Sequence, residues 1–318
     1  PHSRSYSTLL PDETLAFLSR ATGDDVELMP ESRACESLDA HRIGVQCPND
    51  LDGYFTTFDA SRMEREAFIV YDGQASDIVG ATYLRPDFAI GSVNIGDFWN
   101  QRRPLVAYWG EAGRPTAARL RFLHDDYDYS SASLFTVQDS ADVLGAVLFA
   151  TDRGDTHISL DKIANATILA TDLRLRLQFE GAVGDLQLPR KLELDEPLCF
   201  TSGSIGGVFA VHSVRFGDLP VHLEAGREAD KAWIDLVLYH GKQRAFRFNE
   251  IAEAAIVFTL SVAPSVAVSQ IALPSVYSSI ATELVVAGID SPRQTWFFQR
   301  ANKDAMSLTI PTRPLPTA

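Results

Sequence analysis

The sequence predicts an all-β protein: a large antiparallel two-sheet β-sandwich, or two sandwiches in tandem, preceded by a short N-terminal helix. Three observations predict it. From Tyr54 onward, short runs of β-branched and aromatic residues recur roughly 8 to 14 residues apart, closed by turn chemistry such as Asp72-Gly73, Asp139-Ser140 and His240-Gly241. Within 172–180, Leu173, Leu175, Leu177 and Phe179 alternate with Arg174, Arg176 and Gln178, the period of a strand with one buried and one polar face. No alternation of strands with helices is present, which argues against Rossmann and TIM-barrel arrangements.

The helix is expected over 9–20, with Pro11, Asp12 and Glu13 in its first turn, Arg20 near its end and Gly23 as its stop. Residues 26–52 carry no period and two prolines, and read as a long connection. Strands follow at 67–72, 78–84, 88–93, 104–109, 117–124, 132–138, 143–151, 156–160 and 172–180. A second series runs through 192–200, 207–216, 219–225, 231–239, 243–248, 255–262, 282–286 and 295–300. A short helix at 249–254 has Asn249 as its N-cap. The Pro-containing stretch 180–197 is the expected internal boundary. The organisation is therefore 1–53 as helix and connection, 54–185 and 186–310 as two sandwich halves, and 311–318 as an extended tail.

The chain has 318 residues, 46% of them hydrophobic, enough to bury a large core and to exclude a disordered or fibrous protein. With 42 acidic against 28 basic residues its formal charge is -14, a field that repels phosphate backbones, so nucleic acid is not an expected partner. Apolar runs such as 254–260 fall far short of the roughly 20 residues a bilayer helix needs, so no membrane partner is expected and the chain reads as soluble. Cys35, Cys47 and Cys199 form no CxxC pair, which excludes zinc-ribbon and thioredoxin readings. A Cys35–Cys47 bridge suits an oxidising compartment, and three free thiols are the favoured reading. Pro1-His2-Ser3-Arg4 reads as a trimmed start without a secretory signal layout. A secreted or periplasmic setting is slightly favoured over the cytoplasm.

P-loop, GxGxxG, GxSxG and HExxH motifs do not occur in the sequence. Three polar clusters carry the candidate chemistry. His124-Asp125-Asp126-Tyr127-Asp128-Tyr129 closes an apolar strand, where His124, Tyr127 or Tyr129 is placed to exchange a proton and Asp125, Asp126 and Asp128 are hard oxygen donors for calcium. The alternative is a solvated acidic turn. In Thr151-Asp152-Arg153-Gly154-Asp155-Thr156-His157, Asp155 and His157 share one strand face, a carboxylate-oriented imidazole or simply a polar hairpin. In the third cluster, Trp99, Asn100, Arg102, Arg103 and Trp109 suit sugar recognition by ring stacking and bidentate hydrogen bonds, although the core is the favoured place for Trp109. His212, His222 and His240 are scattered and read as structural.

The stretch Ala81-Thr82-Tyr83-Leu84-Arg85-Pro86-Asp87-Phe88-Ala89-Ile90-Gly91-Ser92-Val93, continued by Gly96-Asp97-Phe98-Trp99-Asn100-Gln101-Arg102-Arg103-Pro104, resembles the start of the β-sandwich part of heparinase II/III-like proteins. The likeness extends in patches to 156–161 and 172–176. It implies a sandwich fold and a polysaccharide context, with His124 or His157 facing a junction to a helical toroid. This sequence departs from the family by placing only one predicted helix before the strands.

The function expected is therefore carbohydrate-directed: a polysaccharide lyase or related enzyme using Tyr or His as acid and base, with Arg102, Arg103, Arg174 and Arg176 as the sources of a local positive patch. The rival is a non-catalytic sandwich that binds a glycan, a partner subunit or a second copy of itself. A glycoside hydrolase with paired carboxylates is the third reading.

Overall fold

The computed structural model describes residues 65–71, 78–98, 103–111, 114–129, 132–149, 167–247, 255–265, 275–286, 289–300 and 303–311. All of them belong to the compact unit Met63–Ala318. The predicted helices at 9–20 and 249–254, the strand at 156–160, Cys35, Cys47 and the tail beyond Pro311 lie outside the described residues.

The all-β reading holds. The described residues form β1 (Arg65–Tyr71), β2 (Ile78–Leu84), β3 (Phe88–Val93), β4 (Ile95–Asp97), β5 (Leu105–Glu111), β6 (Arg114–His124), β7 (Tyr127–Asp128), β8 (Ala132–Asp139) and β9 (Asp142–Phe149). They continue with β10 (Thr167–Gly181), β11 (Leu198–Ser202), β12 (Ile205–Arg215), β13 (His222–Arg227), β14 (Lys231–Arg247), β15 (Ala255–Pro264), β16 (Ser275–Val286), β17 (Ile289–Gln299) and β18 (Met306–Pro311). The first sheet runs β1-β2-β3-β5-β6-β10-β14-β13 with β7 paired to β6, the second β11-β12-β15-β9-β8-β4, and the third β16-β17-β18. Both large sheets draw strands from either side of residue 185.

The main core lies between the first two sheets, and the sequence period explains which residues enter it. Leu173, Leu175, Leu177 and Phe179 of β10 are all fully buried there, facing Val143, Val147 and Phe149 of β9 and Ile256, Phe258 and Leu260 of β15. Each such side chain contributes about 1.5–3 kcal/mol on leaving water. Residues of the opposite parity on β9 and β15, namely Leu144, Ala146, Leu148, Ala255 and Val257, form a second core with Trp296, Phe298, Met306, Leu308 and Ile310 of the third sheet. The second sheet is thus buried on both faces where β9 and β15 run. That explains why Ala255, Ile256, Val257 and Phe258 follow one another as apolar residues instead of alternating with polar ones.

A polar seam joins the two large sheets along β3 and β8. Ser92 donates to Gln138 at 2.8 Å, Thr136 donates to the Val93 carbonyl at 2.6 Å, and Gln138 donates to the Ile90 carbonyl at 3.2 Å. These buried groups are satisfied by one another, as low-dielectric burial requires.

Two predicted boundaries move for one physical reason. β10 begins at Thr167, not Asp172, and β14 is one strand through His240-Gly241, not two. The β10–β14 ladder slips its register between Ala170 and Asp172 and again between Leu173 and Arg174. A bulge resets which parity faces the core: Ile168 and Ala170 are buried before it, Leu173 and Leu175 after it.

Candidate functional site

The first cluster of the sequence forms the β6–β7 hairpin at one end of the first sheet. His124 pairs with Tyr127 across a two-residue turn, and both turn residues have positive φ, 48° at Asp125 and 70° at Asp126. Such a mirror-image turn matches the twist of the strands it joins, and Asp is among the few residues that tolerate it. The turn is braced from outside. One Asp125 carboxylate oxygen accepts from the Thr171 amide, the Thr171 hydroxyl and the Asp172 amide, each at 2.8 Å, and the Asp125 amide donates to the Asp172 carbonyl at 3.0 Å. Burial pushes the Asp125 carboxyl up, but these hydrogen bonds, with the nearby His124, overcome it and hold the group below its ordinary value. Asp125 therefore pins the bulge of β10, where the ladder leaves amides in need of an acceptor.

The hairpin separates the candidates that share it. Tyr127 is 74% exposed, whereas Tyr129 is 1% exposed and packs its ring on Phe122. Tyr129 is a core residue and takes no part in surface proton exchange. His124 sets its ring perpendicular to Tyr129 and places Nε2 2.9 Å from the Leu169 carbonyl, so Nε2 carries the donated proton. Leu169 is itself 56% exposed, which sets a second apolar side chain on this rim.

The calcium reading meets a different arrangement. Asp125 is committed to β10, and Asp128 accepts from Arg121 Nε at 2.8 Å. Among the described residues no group of three or more His, Cys, Asp or Glu side chains is placed to hold a metal ion.

Trp109 is buried, 6.2 Å from Phe200 in a stacked pair and edge-on to Phe179, so it supports the core and offers no sugar platform. Arg103 is exposed and donates to the Tyr108 hydroxyl at 2.8 Å. Trp99, Asn100, Arg102, Asp155 and His157 lie outside the described residues.

The outer face of the first sheet holds what sequence reading missed. Arg121, Arg176, Asp235 and Glu224 stand opposite one another on β6, β10, β14 and β13. Asp235 has no exposed surface and accepts from Arg176 Nε at 2.7 Å, Arg176 Nη2 at 2.8 Å and Arg174 Nη1 at 2.8 Å. Arg176 also lies over the Trp233 ring, 4.7 Å from its centroid, and Trp233 occupies the space a side chain on Gly226 would fill. Arg121 donates to Gln178 at 2.8 Å and Arg119 donates to Glu180 at 2.6 Å. Arg174 donates through Nε to Asp172 at 2.5 Å, and Asp172 also meets His240 Nδ1 at 2.9 Å. Burial pushes the Asp172 carboxyl up, and Arg174 and His240 outweigh that and hold it below its ordinary value. Arg174 and Arg176 are therefore neutralised within the sheet, and they form no free positive patch.

Comparison with protein-family models and with curated proteins finds no match to this chain. Among the described residues no helix is long and apolar enough to cross a membrane.

Proposed function

We propose that this chain is a carbohydrate-directed β-sandwich protein that holds an oligo- or polysaccharide at the hairpin end of the first sheet. The observation that carries the reading is the exposed Tyr127 ring on a turn braced by Asp125. An aromatic face stacks on the C–H face of a pyranose, and a ring held by a fixed turn loses little freedom when it does so. The resemblance of 81–104 to the sandwich part of heparinase II/III-like proteins supports the same context.

Binding is favoured over proton transfer by how the candidate groups are engaged. The Tyr129 phenol is in the core, His124 spends its Nε2 proton on the Leu169 carbonyl, and Arg174 and Arg176 are held by Asp172 and Asp235. A lyase needs an unengaged guanidinium or metal to stabilise the carbanion that forms beside a uronate carboxylate.

Affinity electrophoresis in β-glucan, xylan, mannan, polygalacturonate and heparan sulfate tests the reading, with ultraviolet absorbance and reducing ends followed in parallel. Retention in at least one polysaccharide without products is expected, with Tyr127→Ala weakening it about tenfold, the loss of about 1.4 kcal/mol. New unsaturated ends would establish a lyase, and new reducing ends without them a hydrolase. Unchanged mobility in every polysaccharide would overturn the proposal.

A further inference from the structure

Asp139 and Asp142 stand directly opposite each other at the end of the β8–β9 ladder. Like charges in that position repel and weaken a hairpin, so the pair calls for a cation between its strands. The cation comes from the third sheet. Arg300, the residue after β17, places Nη2 2.6 Å from Asp139 and Nη1 3.4 Å from Asp142, and its side chain is only 7% exposed. Lys303, ahead of β18, reaches Asp142 at 3.3 Å, and the Ser261 hydroxyl of β15 donates to the same carboxylate at 2.7 Å. Burial pushes the Asp139 carboxyl up, and Arg300, Ser140 and Lys303 outweigh that and hold it below its ordinary value.

The other contact described between these sheets is the apolar second core, whose attraction has no direction. Arg300 is therefore the group that fixes where the third sheet sits. Three features let that sheet leave as one body. Among the described residues no ladder joins it to either large sheet. Its strands are consecutive in the chain, whereas both large sheets interleave strands from distant segments, so lifting it breaks no other ladder. The docked state also holds two buried N–H groups without an acceptor, Trp296 Nε1 and Arg300 Nε, and an unsatisfied donor opposes burial.

We infer that β16, β17 and β18 form a cover over β9 and β15 that docks and releases as one unit, with Arg300 as the bolt and the paired carboxylates Asp139 and Asp142 as the catch. The coupling runs both ways. Arg300 seats the cover, and the hairpin is relieved of its like-charge repulsion only while the cover is seated. Release bares Leu144, Ala146, Leu148, Ala255 and Val257 without unfolding the sandwich beneath. The inference stands apart from the glycan reading.

Native-state hydrogen exchange of the whole chain, read by peptide mass, tests it. Peptides from 275–286, 289–299 and 306–311 are expected to share one opening, at least about tenfold more frequent than that of β6, β10 and β14. Arg300→Met should make the shared opening about tenfold more frequent again and leave β6, β10 and β14 unchanged. Asp139→Asn separates a catch from ordinary packing by its sign. With Arg300 present it should raise the opening, whereas in Arg300→Met it should lower the opening or leave it unchanged, because there it removes an unpaired, partly covered carboxylate. Exchange of the third sheet only together with β6, β10 and β14 would overturn the inference, as would strand-by-strand opening, an Arg300→Met effect spread equally over all three sheets, or one effect of Asp139→Asn in both backgrounds. The exchange pattern of the unaltered protein decides the matter where Arg300→Met does not fold.

Discussion

Asp235 is the residue on which the polar face of the first sheet turns. It lies fully buried between two arginines, and removing its charge leaves Arg176 without its carboxylate partner in a poorly solvated place, while Arg174 keeps Asp172. Asp235→Asn should cost about 3–5 kcal/mol in urea denaturation; a loss under about 1 kcal/mol would show that solvent reaches the site. His212 makes a second prediction. Burial pushes its imidazole down to about 4, with Nε2 2.8 Å from the Thr259 hydroxyl. Its folded value lies below the ordinary 6.5, so the unfolded chain binds the extra proton first. Stability from the neutral ring is thus complete above pH 6.5 and is lost as pH falls toward 4. Between pH 7 and pH 4.5 the wild type should lose about 2 kcal/mol more than His212→Gln does. At this scale the arginines were legible as one polar face, because period two needs only the sequence. Their partner Asp235 was not, because it sits on another strand and only register brings it opposite Arg176. Tyr127 and Tyr129 have the same parity and were read alike, but β7 ends at Asp128 and the chain then turns inward.

Strands were legible where the period runs undisturbed, as in 78–84 and 88–93, which match β2 and β3 residue for residue. They were misplaced where a bulge intervenes. His240-Gly241 has turn chemistry, yet the local irregularity is a register slip inside β14 and the strand continues. β18 went unread although Met306, Leu308 and Ile310 alternate with Ser307 and Thr309. Close approach between elements is also invisible in a period. A Cβ on Gly145 of β9 would stand 2.3 Å from the Phe258 ring of β15, so Gly145→Ala should destabilise by about 1–3 kcal/mol. Phe258→Leu should relieve part of that, and a double-mutant cycle should report a coupling above about 0.5 kcal/mol. Additive effects would mean that the ring moves aside freely.

The whole molecule has more layers than the two sheets its pattern announced. The apolar run near 254–260 was informative only as too short to cross a bilayer, whereas its deeper meaning is a strand that needs cover on both sides. Phe298, 2% exposed in the second core, tests that cover. Phe298→Ala should cost about 3–5 kcal/mol in equilibrium unfolding. A cost near zero would mean that the third sheet rests loosely on the second.

The order of the chain gives that cover a temporal side. β9 and β15 are synthesised before β17 and β18, which shield their second face. A ribosome releasing this polypeptide therefore holds a nearly finished sandwich with one oily flank bare until the final strands emerge. For that interval the flank is open to wrong neighbours, and a chaperone that binds apolar strands has its longest opportunity there.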